Sequence, residues 1–281
     1  MNTAYIINAL ESVDPDIHER ISPRRQALKS FAGFTGKLAL TAIPIALGGL
    51  FKKAYGQTPS KVIDVLNYAL TLEYLEAAFY DKGVKSADLK IPTAVGRKAI
   101  EDIGKHEAEH VAFLTTAIKS SGGTPVKSPN FDFSAGSGSG NGPFKDVFKS
   151  YALFLAVAQA FEDTGVRAYK GQAGNLKGTG AVLTAALNIH SVEARHASTI
   201  RQMRQSNGFG NVKPWITGKD TGGIGAAVEA NYMGEENTMQ AGIQIVGING
   251  MDISADAASE AFDEPLTMDE VVKLVTPFFA P

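Results

Sequence analysis

The chain has 281 residues, 44% of them apolar and 20% charged, with a net charge of −2 and no cysteine. That balance suits a soluble globular protein with room for one large domain or two small ones. It excludes disulfides, thiolate-bound metal and cysteine nucleophiles, and it offers no basic footprint for nucleic acid. Any metal must therefore be held by carboxylate and imidazole, a donor set suited to iron, manganese or zinc.

Residues 1–57 read as a leader. Arg24-Arg25-Gln26-Ala27-Leu28-Lys29 precedes a mildly apolar run from Leu38 to Leu50, and Ala54-Tyr55-Gly56 offers small residues for a peptidase. Thirteen residues are too few to span a bilayer but right for the apolar part of an export signal. The paired arginines resemble a twin-arginine signal, with Ala27 where that pattern usually has phenylalanine. Export to the periplasm or beyond is expected, with the mature chain starting near Gln57 and keeping no stable membrane anchor. A surface helix or an uncut anchor is the competing reading.

Four helices are predicted over residues 58–204. In the first, Pro59 to Tyr80, the residues Val62, Val65, Leu66, Ala69, Leu72, Leu75 and Phe79 recur at three and four, with Asp81-Lys82-Gly83 as the stop. The second runs from about Thr93 to Ser120. A segment rich in glycine, serine and proline follows at 124–143, argued to be irregular. The third helix is predicted from Phe144 to Tyr169 and the fourth from Gly180 to Arg204. Short connections inside each pair and one long crossover between pairs define an all-α four-helix bundle of ferritin-like topology. Residues 205–281 are expected to wrap the bundle as a C-terminal extension, because so few aliphatics could not build a core alone. In it Trp215 is a candidate packing anchor, and a short terminal helix starts at Thr267 with Val271, Val272, Leu274 and Val275 inward.

The two halves repeat a pattern of chemistry. Glu73 and Glu162 each precede a tyrosine by seven residues, Tyr80 and Tyr169, and each is followed by a Glu-x-x-His pair, Glu107/His110 and Glu193/His196. On a helix, residues three apart share a face, so each pair aims both side chains the same way. A tyrosine seven residues on returns to the face of its glutamate and can hydrogen-bond a ligating carboxylate. One glutamate from each of two helices, plus a Glu-x-x-His from each of the others, makes a dinuclear metal site. Glu107 and Glu193 are the expected bridging pair, and two iron or manganese ions per chain the expected cofactor. Buried glutamates would be costly without such cations.

His106-Glu107-Ala108-Glu109-His110 also satisfies the H-E-x-x-H pattern of zinc proteases. Phe113 stands where the fuller metzincin motif needs glycine, no histidine follows at the metzincin spacing, and the tyrosine repeat would go unexplained. His106 is then a neighbour of the site and His190 a structural histidine. Glu76, Glu101, Asp102, Glu109 and Asp163 are expected to be surface charges.

The motifs LNYALTLEYLEAAFY, IGKHEAEHVAFL, FEDTGVRAYKG and SVEARHASTIRQ, with the terminal EAFDEPLTMDEVVKLVTPF, resemble the ferritin-like superfamily over residues 60–281. Within it they are most similar to exported bacterial ferritin-like proteins related to plant desiccation-related proteins. That resemblance implies a di-iron or di-manganese fold acting on O2 or peroxide, and it allows a homo-oligomer. It also leaves open a non-catalytic stress protein with a vestigial site.

Overall fold

The computed structural model describes residues 59–281, and side chains from residue 61; residues 1–57, read above as a leader, lie outside the described residues. Four long helices, α1 (Pro59–Lys85), α2 (Ala94–Ser120), α3 (Tyr151–Ala173) and α4 (Ala181–Ser206), form the all-α bundle. α1 packs along α2 and α3 along α4, and residues 121–150 make the single long crossover between the two hairpins. All seven apolar positions read from the period of α1 are buried.

Local chemistry explains the helix ends. Thr93 and Ser150 sit in extended backbone and accept from the amides of Gly96 and Leu153, so they cap α2 and α3. α1 runs five residues past the expected stop at Tyr80. Gly83 stays helical because its missing side chain admits the ring of Phe154: a Cβ there would lie 2.3 Å from Phe154 Cε2. Lys82 and Lys85 then close the helix where its dipole favours cations. α3, conversely, starts at Tyr151 and not at Phe144. Residues 143–149 form turns, such as Val147 N to Phe144 O at 2.9 Å, which swing the apolar side chains of that segment inward.

Those side chains close one end of the bundle. Phe79 stacks on Phe154 at 4.7 Å and meets Phe161, Phe148 and Phe133 at 5.1, 5.5 and 5.6 Å. From the C-terminal segment, Phe278 packs on Phe161 at 4.8 Å and Phe144 at 6.0 Å. The crossover is more ordered than its composition suggests. Its strand β1 (Asn130–Phe131) pairs antiparallel with the chain's last strand, β4 (Phe279–Ala280). Beside it, the Asp132 carboxylate accepts from the Ser134 hydroxyl and from the amides of Ser134, Gly138 and Gly140. These donors, the hydroxyl foremost, hold its pKa down at about 2.

The extension carries a 3-10 turn at Ala226–Tyr232, a small hairpin of β2 (Met239–Gln240) with β3 (Ile243–Gln244), and the helices α5 (Ala255–Ser259) and α6 (Met268–Val275). Thr267 and Glu270 form a reciprocal capping box at the start of α6. Val271 and Val275 are buried, but Val272, expected inward, faces solvent. Three buried arginines fasten this segment to the bundle. Arg167 of α3 donates to the carbonyls of Asn231, Met233 and Glu264 and pairs with Glu235 at 2.6 Å. Arg201 of α4 donates to Trp215 O at 3.1 Å, and Arg204 donates to the carbonyls of Phe209 and Gly222. Trp215 thus anchors through its carbonyl; its side chain is not the expected packing anchor, since the residue is 49% exposed. No described helix is long and apolar enough to cross a membrane.

Candidate metal centre

All six donor residues read from the sequence lie buried in the middle of the bundle. α1 supplies Glu73, α2 supplies Glu107 and His110, α3 supplies Glu162, and α4 supplies Glu193 and His196. They form two overlapping groups, each with one ligand atom per residue lying within 4.8 Å of the others. One group is Glu73, Glu107, His110 and Glu193; the other is Glu107, Glu162, Glu193 and His196. Glu107 and Glu193 belong to both.

The atoms face a shared space more than they face one another. His110 Nδ1 lies 3.1 Å from Glu73 Oε2, 3.0 Å from Glu107 Oε2 and 3.2 Å from Glu193 Oε1. One N–H cannot serve three carboxylate oxygens. His196 Nδ1 is 2.7 Å from Glu107 Oε1 and 3.4 Å from Glu162 Oε2, yet neither contact has the geometry of a hydrogen bond. Glu107 Oε1, Glu162 Oε2, both oxygens of Glu193 and His196 Nδ1 are all buried without a hydrogen-bond partner. Such atoms cost about 1–3 kcal/mol each when left unpaired, and more when charged. A cation between them would satisfy them together, so the donor set fits a metal.

The electrostatics agree. Burial pushes Glu73 up to about 7 and raises Glu162. Burial and then the charges of Glu107 and Glu73 raise Glu193 well above the usual carboxylate range. Glu107 is the exception: burial opposes its charge, but contacts to His110 and His196 outweigh that and hold it at about 2. Burial likewise disfavours imidazolium, yet Glu162 and Glu107 lift His196 to about 10. Glu107, Glu193 and Glu73 lift His110 as well. The surrounding carboxylates thus favour the charged form of both imidazoles, as they would favour a cation.

Tyr80 and Tyr169 are buried, and each donates its phenol to a donor carboxylate of the opposite hairpin. Tyr80 of α1 donates to Glu162 Oε1, and Tyr169 of α3 donates to Glu73 Oε1. The bonds cross the bundle because each tyrosine points inward past its own glutamate and meets the one facing it.

Two acidic residues expected at the surface are not there. Glu76 is 4% exposed and sits beside the centre, its pKa raised by burial and then by Glu193 and Glu162. Its i+3 spacing from Glu73 was the signal available. Asp163 is 2% exposed and is held in a bidentate pair by Arg201 at 3.0 and 2.5 Å, with the Tyr232 hydroxyl donating at 2.8 Å. Glu101 and Glu109 are exposed and Asp102 half-buried, each beside a lysine or arginine on its own helix.

His106 lies outside both donor groups, contrary to what an H-E-x-x-H zinc site would need. It stacks on His196, with its Nδ1 3.0 Å from His196 Nε2. His190 shares a hydrogen bond with the Val166 carbonyl at 2.9 Å, a structural role. Between α2 and α4 a surface cleft of about 510 Å³, lined by Asp102, His106, Glu109, Arg195 and Thr199 among others, reaches the edges of His110 and His196.

A family model described as a ferritin-like domain matches residues 61–206, just over half of the chain. No curated protein matches it.

Proposed function

For a chain that belongs to the ferritin-like domain family, we propose a dinuclear iron or manganese protein with oxidoreductase chemistry towards O2 or peroxide. The observation that carries this reading is the pair of overlapping donor groups sharing Glu107 and Glu193, with buried oxygens that lack any other partner. Glu73, Glu107, Glu193 and His110 would hold one ion, and Glu107, Glu162, Glu193 and His196 the other. When bound, two redox-active ions would supply electrons to O2 or peroxide, or accept them from peroxide.

The chain's own residues do the rest. Tyr169 and Tyr80 hold the Glu73 and Glu162 carboxylates in orientation, leaving the opposite oxygens free for the ions. The phenylalanine layer around Phe79 keeps water out at one end of the bundle. The cleft beside His106 gives a small molecule a path to the histidine edges. The paired arginines and apolar run of residues 1–57 support export, by the twin-arginine route, to the periplasm or beyond. A protective role under stress and assembly into a homo-oligomer fit such a location.

The test is turnover by the metal-loaded mature chain. Stopped-flow mixing with Fe(II) and O2, and separately peroxide consumption by the iron or manganese form, should show activity that Glu107→Ala abolishes. Fully loaded protein with no turnover above buffer in either assay would overturn the redox reading.

A further inference from the structure

α3 is buried on nearly every side, because the bundle takes one face and the C-terminal extension lies over another. Val157, Ala160, Phe161 and Thr164 fall at i, i+3, i+4 and i+7, so they share one face of this helix. Between that face and the segments laid over it, packing leaves a pocket of about 160 Å³. Its other walls come from three distant stretches of chain. Phe144 belongs to the crossover, Val228 and Asn231 to the 3-10 turn at Ala226–Tyr232, and Val275 and Phe278 to the C-terminal segment. None of the six metal-donor residues lines it.

We propose that this pocket is a second ligand site, completed by the extension, which takes one neutral single-ring molecule bearing a hydroxyl, a simple phenol. The size fits: an apolar cavity of about 150 Å³ takes up benzene. The lining fits as well. The rings of Phe144, Phe161 and Phe278 already pack on one another, and with three buried valines they give a flat ring an apolar bed. No charged side chain lines the pocket, so an ionised ligand would be buried without a counter-charge.

The polar groups converge at one place and have acceptor capacity to spare. Thr164, 4% exposed, donates its hydroxyl to Ala160 O at 2.6 Å and accepts from Asn231 Nδ2 at 2.9 Å. One lone pair of that hydroxyl is left over. Asn231 Oδ1 has no hydrogen-bond partner among the described residues, and its residue is held in place by the buried Arg167 guanidinium, which donates to the Asn231 carbonyl. Two acceptors beside an apolar bed call for a ligand that donates one hydrogen bond. Pro143 and Ala227, both exposed, form the rim, so a ring can enter without opening the core.

The experiment is calorimetric titration of the purified chain with phenol, toluene and benzoate at pH 7, followed by thermal melts in phenol. The site does not rest on the metal centre, so metal-free protein serves equally. One phenol per chain is expected, bound about 2–10-fold tighter than toluene, the span of one neutral hydrogen bond; benzoate should not bind. At ten times its Kd, phenol should raise Tm by roughly 3–6 °C. Thr164→Val should bring phenol down to the affinity of toluene. Ala160→Leu, which fills the bed, and Ala227→Trp, which closes the exposed rim, should each abolish uptake of both. Circular dichroism checks folding, and the rim variant carries the test if the bed variant does not fold. No uptake of phenol, toluene or benzoate binding as tightly as phenol, or uptake that survives Ala227→Trp would overturn the proposal.

Discussion

Removing the phenol of Tyr169 should loosen one metal position and not the other. Tyr169 donates to Glu73 Oε1, and Glu73 belongs only to the donor group of His110. A hydrogen bond to a charged group contributes about 1.5–3 kcal/mol, and at about 1.4 kcal/mol per tenfold its loss corresponds to roughly 10–100-fold in affinity. Tyr169→Phe keeps the ring in the core, so the change is confined to the missing bond. Tyr80 donates to Glu162 Oε1, and Glu162 belongs only to the group of His196, so Tyr80→Phe should loosen that position by a similar factor. Calorimetric titration of each variant with Mn(II) reads the two steps separately. Equal weakening of both steps by either variant, or no weakening by both, would refute the crossed assignment.

Asp163→Ala should destabilise the protein without touching the metals. It strands the Arg201 guanidinium, which is 2% exposed, and breaking such a buried pair costs about 3–5 kcal/mol. For a chain of this size that is a fall in Tm of roughly 6–20 °C by calorimetry, with metal content unchanged; a fall under about 2 °C would contradict it. Metal-free protein should lose stability as pH rises. Glu73, with a folded pKa of about 7 against an ordinary 4.5, contributes fully below 4.5 and loses that contribution as pH passes 7. His196 contributes fully below 6.5 and loses its share towards about 10, so both have the same sign. Because metal displaces these protons, loading should release about two or more per chain, and its affinity should rise with pH. Denaturation curves between pH 5 and 9, with and without metal, check this; metal-free stability that rises with pH would contradict it.

The donor set was legible because its signals are local. A Glu-x-x-His pair and a tyrosine at i+7 declare a helix face within two turns, and doubling the pattern declared two hairpins facing each other. The inward face of α1 was legible for the same reason. The start of α3 was misplaced because Phe144, Val147 and Phe148 are apolar at helical spacing but serve a turn that feeds the aromatic layer. Gly83 suggested a helix stop, whereas the ring of Phe154 had made glycine necessary inside the helix.

Other features have no local signature. Arg167, Arg201 and Arg204 satisfy carbonyls five to almost a hundred positions away, and single-residue patterns cannot show which arginine is buried. Asp163 follows Glu162 directly and points elsewhere, one residue being about 100° around the helix. Glu76 was different. Its spacing from Glu73 matches that within each Glu-x-x-His pair, and the same argument applied to α1 would have placed it inward.

Elemental analysis of the purified mature chain tests the account most directly. Two iron or manganese ions per chain are expected, with occupancy falling sharply in Glu107→Ala, which removes a donor common to both groups, and in His196→Ala. A chain that carries no metal, or that keeps full stoichiometry in both variants, would contradict the dinuclear centre.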